Sequence, residues 1–152
     1  MLRRFIKYFV CALILSNWSA DAQHVQATEV STKSKKGQII LSKVKVVPEV
    51  KAFLQTTPKE DKPMLMIETD PDFKYYKVKL GISNKGMFRT TEIFCVDPKT
   101  FEVYYWDVFA DDISFSNLAI ITLKDWRYWR TKPEWVKPHT WKAGKLVALT
   151  NQ

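Results

Sequence analysis

Apolar and polar side chains alternate with a period of two through the middle of the chain. In residues 73–83 the apolar positions are Tyr76, Val78, Leu80 and Ile82, and the positions between them are Tyr75, Lys77, Lys79 and Gly81. Successive side chains of a strand point to opposite faces of its sheet, so this pattern predicts a strand with one packed face and one solvated face. Lysines on the second face are typical of an antiparallel sheet that meets water on one side.

Further segments with the length and composition of strands lie at residues 64–68, 88–96 and 101–107. Turn-forming residues separate these segments: Asp70-Pro71-Asp72, Ser83-Asn84-Lys85-Gly86 and Asp97-Pro98-Lys99-Thr100. Such short connections join strands that are neighbours in the sheet and run in opposite directions. The middle of the chain is therefore predicted to be an antiparallel meander of about four strands.

One helix is expected before the meander in sequence and one after it. Pro48 suits the first position of a helix, and Val50, Phe53 and Leu54 share one face before Pro58 ends it. Residues 39–47 fit either a strand or an extension of this helix.

After the meander, Thr122 resembles the cap of a helix over residues 123–130, in which Trp126 and Trp129 lie on one face. An irregular tail is predicted from Pro133, with a last short strand at residues 146–149. The fold class is α+β: an N-terminal helix, the meander, and a C-terminal aromatic helix packed on the sheet.

The first 22 residues have the composition of an export signal. Positive charge at Arg3, Arg4 and Lys7 precedes an apolar run at residues 8–15, and Ala-Asp-Ala follows at residues 20–22. The alternative is an uncleaved membrane anchor, but a helix needs about 20 apolar residues to cross a bilayer. Residues 1–22 are therefore predicted to be removed, which makes the protein secreted or periplasmic. Residues 23–38 are predicted to form a flexible leader, and residues 39–152 a single domain.

The net charge indicates the classes of partner, and the cysteine content bears on disulfides and thiol chemistry. The chain has a net charge of +8, which favours anionic lipids, polyanionic glycans or nucleic acid, and export argues against intracellular nucleic acid. Cys11 leaves with the signal, so Cys95 has no intramolecular disulfide partner. Its apolar neighbours favour a buried, inert thiol over a reactive centre.

The sequence contains none of the common catalytic or metal-binding motifs. There is no Gly-rich phosphate loop, no zinc-type spacing of Cys and His, and no Gly-x-Ser-x-Gly elbow. The protein is accordingly expected to be no enzyme and to need no cofactor or metal. The alternative is an enzyme of unrecognised type, whose carboxylates Asp107, Asp111 and Asp112 converge only in the folded chain.

Aromatic residues are unusually frequent, at 14% of the chain. Most of them are expected in the core, since aromatic side chains bury the most area, and the alternative is that some form a binding surface. In residues 101–107, Glu102 alternates in phase with Tyr104 and Trp106. A carboxylate is favourable opposite lysines but costly in a core, so Tyr104 and Trp106 are expected on the same face as Lys77 and Lys79.

That face is predicted either to bind a partner or to be covered by the tail around Trp135 and Trp141. The partner is expected to be a protein or a cell-envelope component. The alternative is a polyanionic ligand held by basic and aromatic side chains.

The hairpin of residues 75–107 resembles that of the PepSY-type modules. Val96-Asp97 and Glu102-Val103 match the recurring phrase of that family, in which Gly stands at the position of Phe101. PepSY-type modules are small exported α+β domains, related in shape to cystatins. The resemblance implies a non-catalytic module of the kind often associated with restraining peptidases.

Overall fold

The computed structural model describes residues 33–110 and 119–149. The predicted signal at residues 1–22 and the leader up to residue 32 lie outside these ranges, as do Asp111 and Asp112. The helices are α1 (Lys35–Lys45), α2 (Pro48–Thr56) and α3 (Leu123–Trp129), and 3₁₀ turns lie at Lys59–Asp61 and Pro133–Val136. The strands are β1 (Pro63–Glu68), β2 (Tyr76–Asn84), β3 (Met87–Val96), β4 (Val103–Trp106), β5 (Ile120–Thr122), β6 (His139–Lys142) and β7 (Lys145–Ala148).

An antiparallel sheet with the order β1-β2-β3-β4-β5 is the centre of the fold. The α+β class is confirmed, and the predicted strands correspond to β1, β2, β3 and β4. The sheet has five strands where about four were predicted. The extra strand, β5, is only three residues long and runs directly into the cap of α3, so it has too few positions to show a period.

The N-terminal helix begins earlier than predicted. Ser34 caps α1, its side chain accepting a hydrogen bond of 3.0 Å from the backbone N–H of Gly37. Residues 35–38 are thus helical, and their assignment to a flexible leader is wrong. The choice left open for residues 39–47 resolves as helix, with a break at Val46 and Val47 before Pro48 starts α2.

One face of the sheet carries the hydrophobic core. Tyr76, Val78 and Leu80 are buried there, as the alternation predicted, and Ile82 is half-buried. Strands add Leu65, Phe94, Val96, Tyr105 and Ile121 to this cluster. The helices contribute Ile40, Leu41, Val44, Val47 and Val50 from α1, α2 and their junction, and Trp126 from α3. No helix in the described parts of the chain is long and apolar enough to span a membrane.

Helix α3 has the predicted cap, but the tail after it is more ordered than predicted. The Thr122 side chain accepts a hydrogen bond from the N–H of Asp125 at 3.1 Å. Trp126 is buried and stacks on Tyr105 of β4, with ring centroids 4.5 Å apart. Beyond α3 the chain forms the hairpin β6–β7, so the predicted irregular tail is wrong from His139 onward and the predicted last strand is β7.

Gly81 has a role at a bulge that the sequence pattern does not show. The register between β2 and β3 shifts between Leu80 and Gly81, and a Cβ built at Gly81 would overlap the backbone carbonyl oxygen of Arg89. We expect Gly81→Ala to lower the free energy of unfolding by about 1–3 kcal/mol, because the backbone of β3 must move to admit the methyl group. Urea denaturation measures this, with Ser83→Ala on the same strand as control. Equal stability of the two variants would contradict the expectation.

Candidate binding face

The register of the sheet places the predicted site residues on one face. Lys77 lies opposite Cys95, and Cys95 lies opposite Tyr104, so these side chains point to the same side. Lys79 and Trp106 follow two residues along their strands and share that side. We call this side, which is opposite the core, the outer face; it comprises Met66, Glu68, Lys77, Lys79, Ile93, Cys95, Tyr104, Trp106 and Ile120.

Lys77 is held within the protein, although the sequence suggested that it faces solvent. Its ammonium group is 2.8 Å from a carboxylate oxygen of Asp70 and 3.8 Å from one of Glu68. It also lies over the rings of Phe73 and Trp106, 4.7 Å and 5.1 Å from their centroids. Only 8% of Lys77 is exposed, because two aromatic rings replace the water around its stem.

The positive charges of the outer face are balanced by neighbouring carboxylates. Lys79 is half-buried and forms an ion pair with Glu68, which also faces Lys77. The hydrogen bond from Lys77 lowers the pKa of Asp70, and the backbone N–H of Asp72 adds to this effect. Both lysines are therefore paired with carboxylates of the protein itself, and their part in binding a partner stays a prediction.

The connection between β1 and β2, residues 69–75, lies across the outer face. Phe73 stacks on Trp106 with ring centroids 5.4 Å apart, and Tyr75 meets the edge of Tyr104 at 5.8 Å. All four rings are half-buried, so part of each still meets solvent. They form a strip of aromatic side chains whose positions are set by contacts with one another and with Lys77.

The tail does not cover this strip. Trp135 and Trp141 pack against the core cluster, and Trp135 contacts Tyr105, which points to the core side. The alternative in which the tail around these tryptophans covers Tyr104 and Trp106 is wrong. The alternation had placed Tyr75 in phase with Lys77, but sequence reasoning did not include Phe73 or Tyr75 in the site, because it could not show that these rings meet Trp106 and Tyr104.

Cys95 lies on the outer face and is buried, as the apolar run around it predicted. Burial raises the pKa of its thiol to about 12, and the positive charge of Lys77 only partly offsets this effect. The thiol is therefore protonated at neutral pH and is a poor nucleophile.

A buried polar cluster at the end of β4 was also missed. One carboxylate oxygen of Asp107 accepts a hydrogen bond from the indole N–H of Trp141 at 2.9 Å and lies 2.7 Å from Nε2 of His139. The other accepts from the N–H of Phe109 at 3.1 Å. His139 Nδ1 is 2.7 Å from the carbonyl oxygen of Lys137. No motif could have indicated this cluster, because His139 follows Asp107 by 32 positions.

This cluster has the features of a structural site. Asp107 and His139 are both fully buried, and each of their polar side-chain atoms has a partner within the protein. A substrate would have to displace one of these hydrogen bonds to reach either residue. Of the carboxylates considered for an enzyme, Asp107 lies here, and Asp111 and Asp112 are outside the described residues.

No protein-family model, curated protein or solved structure matches the chain. The resemblance of residues 75–107 to PepSY-type modules thus stays a prediction. Within residues 33–110 and 119–149, no group of three or more His, Cys, Asp and Glu side chains is arranged to hold a metal ion.

The raised pKa of Glu92 predicts how the stability of the protein depends on pH. Burial raises the pKa of Glu92, and the hydroxyl of Tyr105, which donates to it at 2.5 Å, lowers the pKa only in part. Ionisation then favours the unfolded chain, so Glu92 reduces stability as the pH rises above about 4.3, its value in unfolded chains. We expect Glu92→Gln to match the wild type near pH 4 and to be more stable at pH 7.

Urea denaturation at pH 4 and pH 7 measures this difference. Glu60→Gln, at an exposed position in the 3₁₀ turn before β1, is the matched control and should show no such trend. A Glu92→Gln variant that is less stable than the wild type at pH 7 would show that the ionised carboxylate is favourable in the fold.

Proposed function

We propose that the protein is a small exported module without catalytic activity, which binds a protein or cell-envelope partner through the outer face of its sheet. The observation that carries the proposal is the aromatic strip of Phe73, Tyr75, Tyr104 and Trp106. In the described residues no helix packs on this face; the core cluster and the helices lie on the other. The export signal predicted at residues 1–22 supports a partner outside the cytoplasm.

Preorganisation of the rings supports binding rather than simple exposure. Aromatic residues, Trp and Tyr above all, dominate the energetics of protein interfaces. A side chain that is already fixed loses little conformational entropy when a partner arrives. Phe73 and Trp106 meet this condition because they stack on one another and enclose the ammonium group of Lys77.

Balanced charge indicates which chemistry the partner presents. Lys77 and Lys79 are paired with Asp70 and Glu68, so an acidic surface would gain little at the aromatic strip. Apolar side chains and neutral polar groups fit it better. If the PepSY-like hairpin reflects kinship, the partner would be a peptidase that the module restrains.

Replacement of Trp106 by alanine tests the proposal. We expect Trp106→Ala to weaken capture of the partner by about 30-fold, the loss typical of a central aromatic at an interface. The measurement is affinity capture from a cell-envelope extract, followed by titration of the recovered partner. Tyr128→Ala is the matched control, because Tyr128 is 56% exposed on α3, away from the outer face.

Thermal unfolding of both variants separates binding from folding. Trp106 is half-buried and lies outside the core cluster, so its replacement should leave the protein folded at the temperature of the binding assay. If Trp106→Ala retains full affinity, or if Tyr128→Ala loses as much as Trp106→Ala, the outer face is not the binding site.

A further inference from the structure

The hairpin β6–β7 has an inward face and an outward face. His139 pairs with Ala148 and Trp141 with Leu146, and of these His139 and Leu146 are buried. The pairs between them, Thr140 with Val147 and Lys142 with Lys145, point to the opposite side because side chains alternate along a strand. Leu149 continues the outward side, and its N–H donates to the carbonyl of Pro138 at 2.8 Å.

Apolar side chains are exposed on and beside this outward face. Val147 is 38% exposed and Leu149 37% exposed. Val136, which ends the 3₁₀ turn that contacts β7, is 84% exposed. Val147 and Leu149 thus expose apolar surface on the same side of the hairpin, and contiguous exposed apolar surface marks interaction sites more often than single side chains do.

The charged side chains of the hairpin itself are all positive. Lys137, Lys142 and Lys145 are exposed, and no Asp or Glu occurs between residues 135 and 149. Within the part of the chain that the structure describes, none of these lysines forms an ion pair, in contrast to Lys77 and Lys79. The net positive charge of the chain is thus left unbalanced here.

We infer that the outward face of β6–β7 docks on the surface of an anionic lipid bilayer. Lysines that flank apolar side chains match the two layers of such a surface, since the lysines meet the phosphate headgroups and the apolar groups enter the boundary with the acyl chains. A nucleic acid or an acidic glycan would use the lysines but would leave Val136, Val147 and Leu149 in water. This inference is independent of the outer face and its partner.

Co-sedimentation with lipid vesicles tests the inference. The protein should bind vesicles that contain phosphatidylglycerol and should bind pure phosphatidylcholine vesicles weakly. Replacing Lys137, Lys142 and Lys145 together by Gln should weaken binding by more than about 10-fold, because each lysine near an anionic surface adds to the electrostatic attraction that holds the protein there. The control replaces the exposed lysines Lys43, Lys51 and Lys59 by Gln, with the same change in net charge.

A second pair of variants tests the apolar part. Val147→Ser combined with Leu149→Ser should weaken binding to phosphatidylglycerol vesicles several-fold. Val46→Ser, at an exposed position between α1 and α2, should have no effect. Every variant is prepared in the same form as the wild type, so that the N-terminal residues contribute equally. Circular dichroism confirms that the exposed substitutions leave the fold intact.

Two results would overturn the inference. Equal losses from the two lysine triples would show that net charge, and not this surface, drives the binding. Unchanged vesicle binding by the serine variant, with equally tight binding to heparin, would show that the surface recognises polyanions and not a bilayer.

Discussion

The buried carboxylate of Asp107 fixes how the hairpin β6–β7 is attached to the sheet. A charge away from water is tolerated only when hydrogen-bond partners surround it, and here His139 and Trp141 supply two of them. Both come from β6, so moving this strand away would leave the carboxylate with the N–H of Phe109 alone among these partners. The parallel bridge between Ala110 and His139 adds to the attachment at the same place.

This attachment explains why the two faces of the sheet differ. Since the hairpin is held at the end of β4, its Trp141 and the Trp135 that precedes it pack on the core side, and the outer face is left to the connection at residues 69–75. There the paired rings and the enclosed Lys77 give a surface that is aromatic, partly exposed and balanced in charge. The outward side of β6–β7 is the opposite case, with exposed lysines that have no acidic neighbour in sequence.

The sequence predicted those elements whose formation depends mainly on residues close together along the chain. The alternation from Tyr76 to Ile82 and the turn at Asp97 were sufficient for the meander and for the face of Lys77, because strand period and turn chemistry are properties of neighbouring residues. The start of α1 was missed because its first turn is Lys- and Gly-rich, and its stability comes from packing of Ile40 on the sheet. Contacts between distant segments, such as Phe73 with Trp106, leave no periodic signal.

A double-mutant cycle between Asp107 and His139 tests the central claim most directly. The free energy of unfolding would be measured for Asp107→Asn, His139→Gln and the double variant. Each single variant leaves the remaining residue of the pair buried without its hydrogen-bond partner, so each should lower the free energy of unfolding by about 3 kcal/mol. The loss in the double variant should be smaller than the sum of the two single losses by at least about 1.5 kcal/mol. Losses that add to within about 0.5 kcal/mol would show that the two residues do not depend on each other, and that another interaction holds the tail to the sheet.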